Sequence, residues 1–505
     1  GLLARYKIEQ LEYSSAEIYL NRIIKVKNIF PTIAQQLQLA TLISGYPNSI
    51  QDANNILSNV ESRIDALLKL DNIDISYVND SDPYIFCMLS FFNLEIYHEY
   101  NIKSLMEKNY KLSIKAFPDL IYTAPNLKEE YVGNDINIGI VSAFFNDNSS
   151  VLLDFKGVIN NLPDKYKITY IFINESNTNS EYLKTKKNVL IYTNEDNWLN
   201  NARNDIENLN LDILYYLDST MSGMIQRLIM SKLARIQMVS HGHPITSGID
   251  RNIVNYYVSW AGAELEYDKA QEHYTEKLLL IPKTTIHQYY SPVTNNNISL
   301  IDNQSFDKIT RSDFVEYCPS NGNWYLCMQK PFKRHPVFDQ MLKNILDNDP
   351  NGRILLHGDN RPNICKIMTN RFIHIGADIT RIHFIPMQPH NRLMGLYSVS
   401  DVILDSYYAG GCTTTREAFE VGGVIVTLPT DYLGGRWTYG YYNIIGVQDM
   451  IANTQEEYVE MAVKLGTNKE YNKEMKMKIL KNVNKLYYQQ SAIDAWDNIF
   501  KKILH

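Results

Sequence analysis

Residues 398–429 read SVSDVILDSYYAGGCTTTREAFEVGGVIVTLP, and the order of features in this stretch decides the fold class. An apolar run over 401–404 has the look of a strand and ends at Asp405. A short loop carries Gly410 and Gly411, and a helix is expected to open on Thr413, Thr414 and Thr415. Thr414 and Glu417 have the spacing of a capping box, which marks a helix start. A second apolar run, 423–428, reads as the next strand. Together they make one βαβ unit, with a carboxylate at a strand's C-terminal end beside a helix N-terminus. Unpaired N–H groups and the positive dipole end make such a terminus receptive to phosphate. A nucleoside diphosphate fits, with phosphates on the helix start and ribose hydroxyls on Asp405. An ordinary capped crossover gives the same pattern, and this window alone leaves both readings open.

Working outward, the same alternation recurs on both sides. INIGIV (136–141), KITYIFI (167–173), NVLIYT (188–193), LDILYYL (211–217) and ARIQMVS (234–240) are short apolar runs, most of them separated by helix-length segments. A polar, Asn-rich stretch over 287–310 marks a boundary, and a second series follows: FVEYC (314–318), RILLHG (353–358), IHFIP (382–386), then the two runs of the opening window. Continuous apolar strands alternating with helices predict parallel, doubly wound sheets. The expectation is therefore an α/β chain of two Rossmann-like domains, with a cleft at the strand C-terminal edges. Upstream, Ile56, Val60, Ile64, Leu67 and Leu68 recur at helical spacing, and 84–117 contains no internal Pro or Gly. No 34-residue self-similarity is legible, so an all-helical, degenerate TPR-like domain is expected there rather than a regular array. The expected boundaries are 1–130 (helical), 136–286 (first lobe), 311–480 (second, nucleotide-binding lobe) and 481–505 (C-terminal helix), with 118–135 as linker. Thr454 and Glu457 form another capping box, and Gly466 reads as the residue just past a helix end.

Composition narrows the classes. The chain has 505 residues, 45% hydrophobic and 21% charged, which is ordinary for a globular protein of about two to four domains. A net charge of −7 argues against a protein that coats nucleic acid. No apolar run is long enough to span a bilayer. The five cysteines (Cys87, Cys318, Cys327, Cys365, Cys412) are scattered without a CxxC pair, which fits a reducing cytoplasm and offers no zinc spacing.

Two further segments carry candidate chemistry. CMQKPFKRHPVFD (327–339) places Lys333 and Arg334 at a helix start, where a phosphate or plain solvent is the alternative neighbour. SHGHPITSGID (240–250) ends a strand of the first lobe and puts His241 and His243 in a rigid polar turn. A histidine titrating near neutrality suits general-base work, and a buried structural histidine is the competing reading for each.

Taken in order, four blocks resemble the nucleocytoplasmic protein O-GlcNAc transferases and the related SPINDLY-type glycosyltransferases: HGHPITSGID with EHYTEKLLLIP (272–282), CMQKPFKRHPVFD, DSYYAGGCTTTREAF, and VTLPTDYLGGR with EEYVEMAVKLGTNKEY (456–471). The resemblance covers roughly 136–505. It implies a GT-B glycosyltransferase, inverting and needing neither metal nor cofactor, which moves a sugar from a nucleotide donor to Ser or Thr of an acceptor protein or peptide. It implies that Lys333 contacts the diphosphate, that Thr413 and Thr414 hold the phosphates, that Asp405 holds the ribose, and that Gln329 lies nearby on the donor. His243 is the candidate for positioning or deprotonating the acceptor. Self-association through the helical domain is a further contact left open. Two departures stand out: Asn148 where the family carries His, and His390 followed by Leu393 where UDP-GlcNAc-using members carry Lys and then His near the base. UDP-GlcNAc is thus the first donor to test, with UDP-glucose transferred to Asn and GDP-fucose as alternatives. A catalytically silent GT-B scaffold and a GT-B epimerase acting on the donor alone are the readings outside this class.

Overall fold

The computed structural model describes residues 16–18, 33–73, 94, 97, 99–128, 130–131, 133–147, 149–175, 179–242, 244–293 and 308–504. Two parallel sheets organise the chain. The first has seven strands: β1 Ile136–Ser142, β2 Tyr166–Ile173, β3 Val189–Tyr192, β4 Ile213–Tyr216, β5 Ile236–Ser240, β6 Tyr256–Trp260 and β7 Lys277–Ile281. Their spatial order is β3-β2-β1-β4-β5-β6-β7. The second has five: β8 Asn323–Cys327, β9 Gly352–His357, β10 Ile382–Ile385, β11 Val402–Leu404 and β12 Ile425–Val426, in the order β10-β9-β8-β11-β12. Every strand pair is parallel. Each sheet therefore winds outward in both directions from a central pair, β1/β4 in one and β8/β11 in the other. At such a switch point the flanking crossovers leave on opposite faces and open a crevice at the C-terminal edge. The strands read as continuous apolar runs because helices cover both faces; all four residues of β4 and all five of β5 are buried.

Several local readings change. FVEYC is not a strand: a capping box between Thr310 and Asp313 winds 311–314 into a 3-10 turn, and the second lobe begins instead with NWYLC at 323–327. The Thr414–Glu417 box does not form, because both side chains are taken by distant partners and the Thr413–Glu420 helix is preceded by Cys412. At Thr454 the hydroxyl does accept the Glu457 N–H, while the Glu457 carboxylate reaches Asn453. Gly466 lies inside the Gln455–Thr467 helix rather than past it. It is glycine for space: a Cβ there would sit 2.1 Å from the Tyr325 hydroxyl.

Toward the N-terminus the described residues include helices Ile33–Ala40, Ile50–Leu68 and Lys103–Ala116. Ser49 caps the second of them through the Asp52 N–H, and Ala53, Val60, Ile64 and Leu67 form its buried stripe. This region touches both lobes. Thr275 donates to Glu107 at 3.0 Å, and Arg361 donates to the Tyr46 hydroxyl at 3.2 Å. The 118–135 segment is pinned as well, through a short parallel pairing of Tyr122–Thr123 with Ser231–Lys232.

After the second lobe the chain returns to the first. The Gln490–Leu504 helix buries Trp496 and Phe500 against Tyr215, and the Trp496 indole N–H donates to the His287 carbonyl at 2.8 Å. Tyr166 donates to Asp497 at 2.7 Å, and Arg235 donates to the Leu504 carbonyl. Trp496→Ala should therefore lower stability by about 3–5 kcal/mol, read as a fall in the urea midpoint; a shift under ~1 kcal/mol would mean that the helix does not dock as described.

Candidate functional site

The second lobe's switch point gathers most of the residues singled out from sequence. Gln329 and Lys333 follow β8, Asp405 follows β11, His390 opens the helix His390–Val399 after β10, and Thr413 and Thr414 open the Thr413–Glu420 helix. Strand direction alone brings them to one edge.

Asp405 is buried, and both carboxylate oxygens are engaged. Oδ1 accepts the Gly411 N–H at 2.7 Å, and Oδ2 accepts the Thr427 hydroxyl at 2.8 Å. Burial raises its pKa, with these hydrogen bonds and the Lys333 charge acting against that. Its direct work in this state is to hold the 405–411 loop. The loop has no room for a side chain at Gly411, where a Cβ would fall 2.6 Å from Thr414 Oγ1 and 2.7 Å from Gln329 Nε2. Gln329 donates to the Thr414 hydroxyl at 2.7 Å, and Lys333 Nζ donates to the Gly410 carbonyl at 3.3 Å. Lys333, Gln329, Thr414 and Gly410–Gly411 thus form one contiguous rim. The first turn of the helix contributes N–H groups that have no intrahelical acceptor. A cavity of about 250 Å³ lies against Gln329, Asp405 and Thr414 and runs back to Met328, Tyr397 and Ile425.

Thr413 differs from Thr414. Its hydroxyl donates at 2.9 Å to Asp154 of the first lobe. His390 pairs with Glu417, Nε2 to Oε1 at 2.9 Å, and this carboxylate contact raises the imidazole pKa against the effect of burial. Next to Lys333, Lys330 lies 3.3 Å from His357 Nε2, and Arg334 is fully buried, donating to the His357 carbonyl at 3.1 Å.

In the first lobe, His243 and Asn148 lie outside the described residues. His241 is described, and it packs as an aromatic. Its ring sits 4.7 Å from Phe155, 4.5 Å from His287 and 5.3 Å from Trp437, with neither nitrogen hydrogen-bonded, and burial pushes its pKa down to about 4. It is neutral and enclosed, so it does not serve as an exposed base. Asp218 went unnoticed in the sequence. It stands at the β1/β4 switch point, where its carboxylate accepts from the Ser142 hydroxyl and the Ala143 N–H, and burial raises its pKa to about 7. The signal was available: Leu217-Asp218-Ser219 ends β4 as Leu404-Asp405-Ser406 ends β11.

A second cavity, of about 340 Å³, opens where the three parts of the chain meet. Tyr100 and Ile102 come from the helical side, Pro244, Thr246 and Tyr274 from the first lobe, and Tyr432 from the second.

Residues 308–492 match the family described as Glycosyl transferase family 41. Among curated relatives, a probable UDP-N-acetylglucosamine–peptide N-acetylglucosaminyltransferase SEC of Arabidopsis thaliana is 27% identical over 264 residues, 51% of this chain and 25% of that protein. The corresponding transferase of Caenorhabditis elegans is 31% identical over 104 residues, 21% of this chain and 9% of that protein. A SPINDLY protein of Solanum lycopersicum is 23% identical over 243 residues, 46% of this chain and 24% of that protein. The chain spans 25% or less of the length of these relatives. A mutant of the Thermobaculum terrenum O-GlcNAc transferase has the same fold, with a TM-score of 0.61 and 16% identity over 99% of this chain and 96% of that one. Three of the four sequence blocks, from CMQKPFKRHPVFD onward, fall inside the 308–492 stretch that matches this family.

Burial also depresses the pKa of His335 to about 3 and of His357 to about 4. With His241 these imidazoles stay neutral when folded, whereas the unfolded chain takes up their protons at about pH 6.5. Stability should be full above that value and fall as pH drops through it, by up to about 1.4 kcal/mol per pH unit for each imidazole. Asp218, whose pKa burial raises to about 7, contributes with the opposite sign over the same range, so the check is the change in urea midpoint between about pH 7.5 and about pH 4.5 in wild type against His335→Asn; the same change in both would contradict neutral burial of His335.

Proposed function

We propose that the chain is an inverting, metal-independent protein glycosyltransferase that transfers a sugar, GlcNAc from UDP-GlcNAc first among the candidates, to Ser or Thr of an acceptor protein. The observation that carries this reading is the rim at the second lobe's switch point, where Lys333, Gln329, the Gly410–Gly411 loop and the start of the Thr413–Glu420 helix converge.

Breaking the bond between anomeric carbon and diphosphate leaves negative charge on the departing oxygens. In the proposed mechanism the Lys333 ammonium and the helix-start N–H groups stabilise it, fixed in place before the reaction and shielded from water. Gly410 and Gly411 let the backbone approach the phosphates, Gln329 orients Thr414, and the His390–Glu417 pair borders the nucleoside. No divalent ion is assigned a step, and cation and helix supply the charge. The acceptor enters from the 340 Å³ cavity, whose tyrosines and Pro244 suit an extended peptide. His243, which precedes Pro244 in the chain, stays the candidate for acceptor deprotonation. The N-terminal region, taken as an all-helical domain, is the acceptor-binding module. The free thiols of Cys318, Cys327, Cys365 and Cys412 fit a cytoplasmic setting.

Two observations favour keeping other readings in the test. His390 is committed to Glu417, which leaves the choice among UDP-GlcNAc, UDP-glucose and GDP-fucose to the nucleoside end. The Thr413 and Thr414 hydroxyls both have protein partners, as a silent scaffold would also have.

Calorimetry and thermal shift against UDP, UDP-GlcNAc, UDP-glucose, GDP and GDP-fucose, with EDTA present, should give a uridine-specific response. A ligand at 100 times its Kd stabilises the fold by about 2.7 kcal/mol. A guanosine response moves the assignment to fucosyl transfer, and no response favours the scaffold. Lys333→Ala should keep the fold by circular dichroism and lower kcat for peptide glycosylation by roughly 10²–10³, about 2.7–4 kcal/mol of barrier; near-normal turnover would remove Lys333 from the mechanism.

A further inference from the structure

Asp154 belongs to the first lobe, on the helix Ser150–Asn161 that follows β1, yet its carboxylate serves the second lobe. Oδ1 accepts from Thr413 Oγ1 at 2.9 Å and from the Arg416 guanidinium at 2.6 Å, and Oδ2 lies 3.5 Å from Cys412 Sγ. Three of the first five residues from Cys412 onward therefore meet one carboxylate from the opposite lobe. Arg416 is 0% exposed. Its charge lies between the rings of Tyr290, at 4.5 Å, and Tyr441, at 5.6 Å, and its Nε and Nη1 atoms have no hydrogen-bond partner. Asp154 is its salt-bridge partner among the described residues. The same Nη2 reaches Thr413 Oγ1 at 3.3 Å, closing a triangle of Asp154, Thr413 and Arg416.

We propose that Asp154 is a positioning residue for the diphosphate end of the donor site. From the first lobe it fixes Thr413 and Arg416 at the start of the helix that faces the phosphates. Nucleotide affinity is then tied to the closed arrangement of the two lobes, an inference that rests on the nucleotide-sugar reading above. The physical reason is directional. A buried guanidinium with two unsatisfied nitrogens tolerates few alternative positions, because turning it away from its one counter-ion leaves an unpaired charge in a dry site. Thr413 is held on the same oxygen, so its hydroxyl and backbone N–H keep their aim without a ligand to organise them. Separating the lobes removes Asp154 from both groups at once. A nucleotide that needs the helix start in this geometry therefore binds the closed form preferentially, and its affinity carries the closing equilibrium.

The test is UDP calorimetry, or GDP if wild type binds the guanosine nucleotide, on wild type, Asp154→Asn, Arg416→Met and the double variant, with urea unfolding of each. Both single variants should weaken nucleotide binding about tenfold, and the double variant should bind no more weakly than either, because the two side chains act as one unit. Thr413→Val, which exchanges the hydroxyl for a methyl, should weaken binding, and Thr413→Ser, which keeps the hydroxyl, should bind like wild type; this pair carries the test if the charged variants fail to fold. Unchanged affinity with lowered stability would overturn the proposal and leave a structural ion pair. Additive losses would overturn it too. A wild type that binds neither UDP nor GDP would sink the donor-site reading and this inference with it, a result distinguishable from the first two because it appears before any substitution.

Discussion

The Asp405 carboxylate sets the geometry on which the rest of the site depends. A strand-ending carboxylate at a switch point has two neighbouring strand termini within reach. Asp405 uses both oxygens, one on the Gly411 N–H and the other on the Thr427 hydroxyl beyond β12. Those bonds fix where the glycine loop turns, and so where the Thr413–Glu420 helix begins relative to Gln329. Asp218 does the equivalent work in the first lobe, bridging from the end of β4 to Ser142 and Ala143 at the end of β1. A buried carboxylate is tolerated because hydrogen bonds replace lost water, and removing them would leave a desolvated acid. Each lobe thus has a buried, hydrogen-bonded acid where the sheet opens.

The lobes are joined by polar contacts as well as by apolar surface. Asp154 with Arg416 makes one buried tie, the return of the Gln490–Leu504 helix a second, and Glu420, which accepts from the Tyr290 hydroxyl and the Val293 N–H, a third. A buried ion pair contributes little net stability, since desolvation offsets most of the attraction, while breaking one partner away destabilises by about 3–5 kcal/mol. Such contacts act less as adhesive than as a selection of one relative arrangement. The start of the Thr413–Glu420 helix is thereby held against the Ser150–Asn161 helix of the first lobe.

The parallel architecture was legible because buried strands leave continuous apolar runs, as at INIGIV and LDILYYL. Where the reading failed, tertiary partners had overridden local chemistry. FVEYC has strand-like composition, but a 3-10 turn capped by Thr310 and Asp313 runs into its first residue, Phe314, and NWYLC, with its polar start and its passage toward Gln329-Lys330-Pro331, carried a weaker pattern. Thr414 and Glu417 have capping spacing, yet their side chains are taken by Gln329, 85 positions away, and His390, 27 positions away. The site was legible where it follows strand ends in order. Asp154 was not, since its partner Arg416 is 262 positions distant and nothing in the helix Ser150–Asn161 announces an interlobe acid. Residue type and turn context alone did not separate His241 from His243; packing against Phe155 and Trp437 assigns His241 to the interior.

The histidines also bear on the local charge at the second lobe's switch point in a chain of net charge −7. His241, His335 and His357 are held neutral by burial, so they add no charge near the cleft at neutral pH. The local field comes instead from groups held by backbone contacts. Arg334 is fixed against the His357 carbonyl, Lys333 is anchored on the Gly410 carbonyl, and the helix dipole points outward at Thr413. A cation already held by the protein would need no reorganisation if negative charge developed beside it. The overall acidic balance and the local cationic rim are therefore compatible: the first governs what the surface as a whole attracts, the second the field at one strand edge.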